Sequence, residues 1–184
     1  MRVIAGTLKG RQLKAPAWNG LRPTSDKLRE TLFNVLAARV PGARVLDGYA
    51  GTGAIGIESI SRGASSVVFV ERDQRARALI EDNLARCGID SGYTVLGAAV
   101  AHSFQALAET PGFEPFDIVV LDPPYEMPPA EALLGADRVL ASNGVLVLEH
   151  ARRRESPVSS GRLARVRQIA SGDSELTLYQ VITT

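Results

Sequence analysis

Short apolar runs rich in β-branched residues recur along the chain and alternate with stretches whose apolar positions fall at helical spacing. That alternation predicts buried strands feeding amphipathic helices, the signature of a parallel α/β sheet. The strands are expected at 44–47, 66–70, 93–96, 116–121 and 145–149. Thr24 and Ser25 are N-cap candidates for a first helix whose face carries Leu28, Leu32, Val35 and Leu36, with Lys27, Arg29 and Glu30 off that stripe. A second helix runs through Ile57, Glu58 and Ile60 to a stop at Gly63. A third is capped by Asp73 and closes at Cys87 before Gly88, a left-handed C-cap candidate. A weaker helical pattern covers 101–109, and 129–140 reads as another helix. Residues 162–169 and 175–182 alternate strictly around Ser171-Gly172-Asp173 and read as an antiparallel hairpin. The expected fold is therefore a seven-stranded, doubly wound sheet with an antiparallel C-terminal edge. Residues 2–14, punctuated by Gly6 and Gly10, read as a short β-hairpin. A boundary near residue 20 separates this 1–20 extension from a 21–184 domain. Trp18 is expected to cover a core edge.

A hydrophobic content of 45% and a charged content of 22% fit a soluble globular domain, and no apolar run is long enough to span a membrane. The start of the chain lacks a signal-peptide core, which points to the cytoplasm. The single cysteine, Cys87, excludes an internal disulfide and any multi-cysteine metal site. The net charge of +1 is unevenly spread: Arg2, Lys9, Arg11, Lys14, Arg22, Lys27 and Arg29 face only Asp26 and Glu30 within the first thirty residues. A basic front on a near-neutral body suggests a polyanion-facing surface, the alternative being solvated side chains on an arm.

The chemistry centres on Asp122-Pro123-Pro124-Tyr125, which follows the strand ending at Leu121. The prolines stop the strand and stiffen the chain, presenting a carboxylate, backbone carbonyls and an aromatic ring where ligands bind in open α/β sheets. An exocyclic amine on a base is planar and must turn tetrahedral to attack an electrophile. Acceptors for its N–H groups, the Asp122 carboxylate and the Pro123 carbonyl, favour that change. Tyr125 is placed to stack on the base. The plain alternative is a proline-rich turn in which Asp122 caps a helix.

Gly51-x-Gly53-x-x-Gly56 follows a strand and opens a helix, and Glu71 closes the next strand, so strand, glycines, helix and acid stand in nucleoside-binding order. Asp47 lies where a dinucleotide would put its pyrophosphate. A carboxylate repels a diphosphate but attracts an ammonium, so S-adenosylmethionine fits better than NAD or FAD. No metal is required. His102 and His150 read as structural or surface residues.

Asp47…Gly51-Thr52-Gly53, Glu71 and Asp122-Pro123-Pro124-Tyr125 resemble the class I S-adenosylmethionine-dependent N-methyltransferases. Arg2-Val3-Ile4-Ala5-Gly6…Gly10-Arg11-Gln12-Leu13, Leu21-Arg22-Pro23-Thr24 and Arg29-Glu30-Thr31-Leu32-Phe33-Asn34 are similar to the RsmD family, and the resemblance spans essentially the whole chain. It implies a Rossmann-like methyltransferase fold that methylates the N2 amine of one guanine in 16S ribosomal RNA, presented within the assembling small subunit. It implies Asp122, Pro123 and Tyr125 at the amine. The cofactor residues it implies are Asp47, Tyr49, Gly51, Thr52, Gly53, Glu71, Arg72, Ala98, Ala99 and Asp122. Tyr49 stands where the family often has Phe. Gly97-Ala98-Ala99 lacks the acid that many relatives use for the adenine amine, so adenine is expected to rest on backbone groups and apolar contacts. Rival readings are a DNA adenine-N6 or cytosine-N4 methyltransferase, a protein-amide methyltransferase and an RNA-binding assembly factor. No feature demands more than a monomer.

Overall fold

The computed structural model describes residues 1–18 and 24–182. Its order is α1 (Asp26–Leu36), β1 (Arg44–Gly48), α2 (Ala54–Ser61), β2 (Ser66–Val70), α3 (Gln74–Cys87), β3 (Tyr93–Leu96), α4 (Val100–Ala108), β4 (Phe116–Leu121), α5 (Pro129–Ala132), a 3-10 turn (Ala136–Arg138), β5 (Leu140–Ala151), β6 (Ser159–Ser160), β7 (Leu163–Ser171) and β8 (Ser174–Val181). These strands form one sheet in the order β3-β2-β1-β4-β5-β8-β7-β6. The first five are parallel and the last three antiparallel. Alternating strand residues feed two cores. Val45, Phe69, Val120 and Val147 pack with α1, α2 and α3, whereas Leu46, Val70, Leu121 and Leu148 pack with α4 and α5.

Several expectations need adjustment. The sheet has an eighth strand, but β6 is only two residues long and pairs through Ser159 and Ser160. The fifth helix shrinks to Pro129–Ala132 because Gly135 takes a left-handed φ of 78°, after which the chain tightens into the 3-10 turn. The N-terminal hairpin reduces to a single antiparallel bridge between Arg2 and Gln12, with Val3 and Leu13 driven into the core.

That N-terminal segment is held by buried polar side chains rather than by a ladder. The Glu58 carboxylate on α2 accepts the Ile4 and Ala5 N–H groups at 2.7 and 2.9 Å. Asn83 on α3 accepts the Lys14 N–H through Oδ1 and donates through Nδ2 to the Lys14 and Thr52 carbonyls. Each exchange satisfies a group that would otherwise be costly to bury.

Candidate active site

Strand register builds the site. Gly48, Val70, Leu121 and Leu148 lie in one row across the sheet, so Tyr49, Glu71, Asp122 and Glu149 follow side by side at its carboxyl edge. They line a cavity of about 660 Å³ that also includes Asp47, Gly51, Thr52, Arg72, Ala98, Ala99, Pro123 and Tyr125. A cavity of that size suits a nucleoside-sized ligand.

At one end the glycine loop turns against β2. Glu71 Oε2 accepts the Gly51 N–H at 3.0 Å and Oε1 accepts the Asp73 N–H at 2.8 Å. Asp47, 1% exposed, accepts the Gly56 N–H at 2.9 Å. Burial pushes the Asp47 carboxyl well above the usual range, the Gly56 amide opposes that, and the charges of Asp122 and Glu71 add to the rise. Gly56 is obligatory for close packing, because a Cβ there would meet Phe69 Cε1 at 2.1 Å. Gly53 does not line the cavity. With a left-handed φ of 76° it is the N-cap of α2, and its role is to shape the loop. Tyr49 is the one described non-glycine residue with positive φ, 61°, and its hydroxyl meets Met127 Sδ at 3.2 Å. Burial and then the Glu131 charge push the phenol up to about 12.

At the other end Thr24 Oγ1 donates to Asp122 Oδ2 at 2.7 Å, while Ser25 caps α1. Burial raises the Asp122 pKa, and the hydrogen bonds from Thr24 and Glu149 counter it. Tyr125 is tethered by its hydroxyl to Ser174 Oγ at 2.5 Å and Glu149 Oε1 at 3.4 Å.

Thr24, Glu149 and Ser174 also line the cavity, and sequence reasoning missed them. Glu149 carried a signal, since it follows an apolar run as Asp47, Glu71 and Asp122 do. Thr24 read only as a cap, and Ser174 lies on the C-terminal hairpin, far from any motif.

The basic residues divide. Arg2, Lys9 and Lys27 line a shallow groove of about 280 Å³ with Asp26 and Glu30, and Arg11 is exposed nearby. Lys14 pairs with Asp82 at 3.0 Å. Arg22 lies outside the described residues. Arg29 is not a surface cation. It is 0% exposed, donates to the Arg2 carbonyl and to Asp26, and lies 3.7 Å from buried Glu58. The helical stripe actually buried is Leu28, Arg29, Leu32, Phe33 and Leu36, so Arg29 shares the face it was expected to avoid.

Comparison with known proteins decides the family. The family model described as Conserved hypothetical protein 95, the RsmD family, matches residues 1–180. The chain belongs to this family. Ribosomal RNA small subunit methyltransferase D of Escherichia coli is 37% identical over 161 residues, covering 88% of this chain and 77% of that one. YlbH of Bacillus subtilis, provisionally named an rRNA methyltransferase, is 36% identical over 184 residues, 98% of each chain. A Thermus thermophilus structure described only as a hypothetical protein superposes with a TM-score of 0.83 at 31% identity, covering 98% of this chain and 99% of that one. Among these folds stands SMU.776, provisionally described as a methyltransferase and solved in complex with SAH. At 15% identity, with a TM-score of 0.68 over 83% of this chain and 49% of that one, it attests the fold alone. The fold of this RsmD-family chain is thus the class I methyltransferase fold, with an antiparallel C-terminal hairpin completing its mixed sheet.

Proposed function

We propose that this RsmD-family protein transfers a methyl group from S-adenosylmethionine to the N2 amine of a guanine in small-subunit ribosomal RNA. Methylation of ribosomal RNA follows from the family and from the names of its relatives. The finer reading of cofactor, base and atom is supported chiefly by one observation: Asp122 and Pro123 share a cavity with Asp47 and Glu71.

The acids at the glycine-loop end suit a cationic, phosphate-free nucleoside. Asp47 offers a carboxylate to an ammonium, Glu71 offers its remaining lone pairs to ribose hydroxyls, and Ala98, Ala99 and Val100 give an adenine a small-residue wall. S-adenosylmethionine bound there supplies a methyl group on a positively charged sulfur. Asp122 and the Pro123 carbonyl accept the N–H groups of the amine and direct its lone pair along the line of displacement, and Tyr125 lies against the base. As the N–C bond forms, the nitrogen becomes more acidic, and Asp122 is the nearest base for its proton.

Arg2, Lys9, Arg11 and Lys27 form the proposed RNA-facing surface of the 1–20 extension and α1. The protein is proposed to act as a monomer on assembling small subunits in the cytoplasm.

The test is tritiated methyl transfer to undermethylated small subunits, free ribosomal RNA and DNA, with nucleoside analysis of each product. Label in N2-methylguanosine is the expected outcome. Label confined to DNA, or to another nucleoside, would overturn the substrate.

A further inference from the structure

Asp122 has a second carboxyl as its neighbour. Because Leu121 pairs with Leu148, the next residues Asp122 and Glu149 stand side by side, and both carboxyls line the cavity, where each acts on the other. Glu149 is 5% exposed, and its Oε1 also accepts from Ser174 Oγ at 3.0 Å and from the Tyr125 hydroxyl at 3.4 Å. Two buried carboxyls so placed cannot both ionise cheaply, and sharing one proton leaves the pair a single negative charge. Thr24 Oγ1 supports a charge on Asp122 as Ser174 Oγ and the Tyr125 hydroxyl support one on Glu149, and the Asp122 charge, which pushes the Glu149 carboxyl up, puts the proton on Glu149.

We propose that Glu149 is a positioning residue for methyl transfer: its carboxyl donates the hydrogen bond that holds the Asp122 carboxylate in place for the amine, and loss of that shared proton switches the site off. This rests on the reading of Asp122 as the amine acceptor. Held by Thr24 on one side and Glu149 on the other, Asp122 stays anionic and keeps a fixed direction. Its free lone pairs then meet the amine without a search through rotamers. Tyr125 is set in place by the same group, since its hydroxyl ends on Ser174 and Glu149.

The groups that act on Glu149 are Asp122 beyond β4, Tyr125 in the following turn and neutral Ser174 on β8. Among the described residues, no cation acts on it. Its chain neighbour His150 is occupied elsewhere, with Nε2 at 2.8 Å from Thr177 Oγ1 and 3.5 Å from Glu175. Burial first, then the Asp122 charge, pushes Glu149 up to about 8, against the hydrogen bonds from Ser174 and Tyr125. Below that pH the pair is singly charged. Above it, two adjacent carboxylates repel and the hold on Asp122 is lost.

The experiment compares wild type, Glu149→Gln and Glu149→Ala in kcat and KM across pH 6–9.5, with carbon-13 NMR of glutamate-labelled protein. The wild type is expected to lose kcat along an alkaline limb near pH 8. Glu149→Gln keeps an N–H donor with no proton to lose, so it is expected to stay within about threefold of wild type at pH 7 and to lack the limb. Glu149→Ala removes the donor, and its kcat is expected to fall about tenfold at every pH with little change in KM. One glutamate signal is expected to titrate near pH 8, to vanish in Glu149→Gln and to move down in Asp122→Asn. An alkaline limb that persists in Glu149→Gln, a Gln variant as impaired as Ala, or no glutamate titrating above its ordinary range would each overturn the proposal. A wild type that transfers no methyl at any pH would overturn the functional reading and the positioning role with it, while the NMR titration would still report on the carboxyl pair.

Discussion

The two ends of the cavity hold their acids by different means. At the glycine-loop end, Glu71 and Asp47 receive backbone N–H groups: Asp73 and Gly56 lie close to their acceptors along the chain, and Gly51 reaches Glu71 across one helix and strand. At the amine end, Asp122 and Glu149 receive side-chain groups from Thr24, Ser174 and Tyr125, and stand against one another. Amide donors neither titrate nor change with a side chain. The first end is therefore a rigid cradle set by local backbone, and the second is a network that pH and single substitutions can dismantle.

The largest expected effect separates the ends outright. Asp122→Ala is expected to reduce methyl transfer by about a hundred- to a thousandfold, while calorimetry finds cofactor affinity nearly unchanged. Lost binding would mean that the ends are one site. Glu71→Ala is the complement. It is expected to weaken the cofactor by about 1.5–3 kcal/mol, the worth of hydrogen bonds to a charged group, and an unchanged affinity in the same titration would remove Glu71 from the cofactor site.

Thr24→Val tests whether the amine end is a network. Removing one neutral hydrogen bond is expected to lower kcat by about tenfold or less and to leave the cofactor Kd alone. Because the Thr24 hydroxyl lowers the Asp122 pKa, the acid limb of the kcat profile should move to higher pH. An unshifted limb would detach Thr24 from Asp122 in solution.

The smallest effect concerns the buried acid of the cradle. The Asp47 pKa is raised in the folded protein, so the stability it contributes is fully present below its unfolded value near 3.9 and is lost as pH rises through the folded value. Asp47→Asn keeps an acceptor for Gly56 and is expected to raise the melting temperature of the ligand-free protein at neutral pH while weakening the cofactor. A ligand ammonium favours the anion, so wild-type affinity should fall as pH is lowered. A pH-independent Kd would place the ammonium elsewhere.

The contrast between the ends also explains what was legible in the residues alone. Glu71, Asp47 and Gly51 stood out because the amide cradle is built within one strand–loop–helix–strand unit, whose order along the chain fixes where its parts meet. Asp122 stood out because prolines mark the turn after its strand. Glu149 went unnoticed although it ends an apolar run like the other acids, because its role depends on lying next to Asp122, and that follows from β4–β5 register. Arg29 was misjudged for a related reason. On a helix drawn alone it flanks the apolar stripe, but the docked N-terminal segment and Glu58 enclose it.

What the amino-acid order determined by itself was local in origin: the strand–helix alternation, the glycine loop, the proline-stiffened turn and the antiparallel C-terminal edge, each written in periodicity or backbone preference within a short stretch. What only tertiary structure decided was which acids stand side by side, which cation is buried, and how the first fourteen residues are fastened to α2 and α3. Those outcomes depend on desolvation and on partners more than fifty residues away, as between Ile4 and Glu58 or Thr24 and Asp122. Neither quantity has a period along the chain.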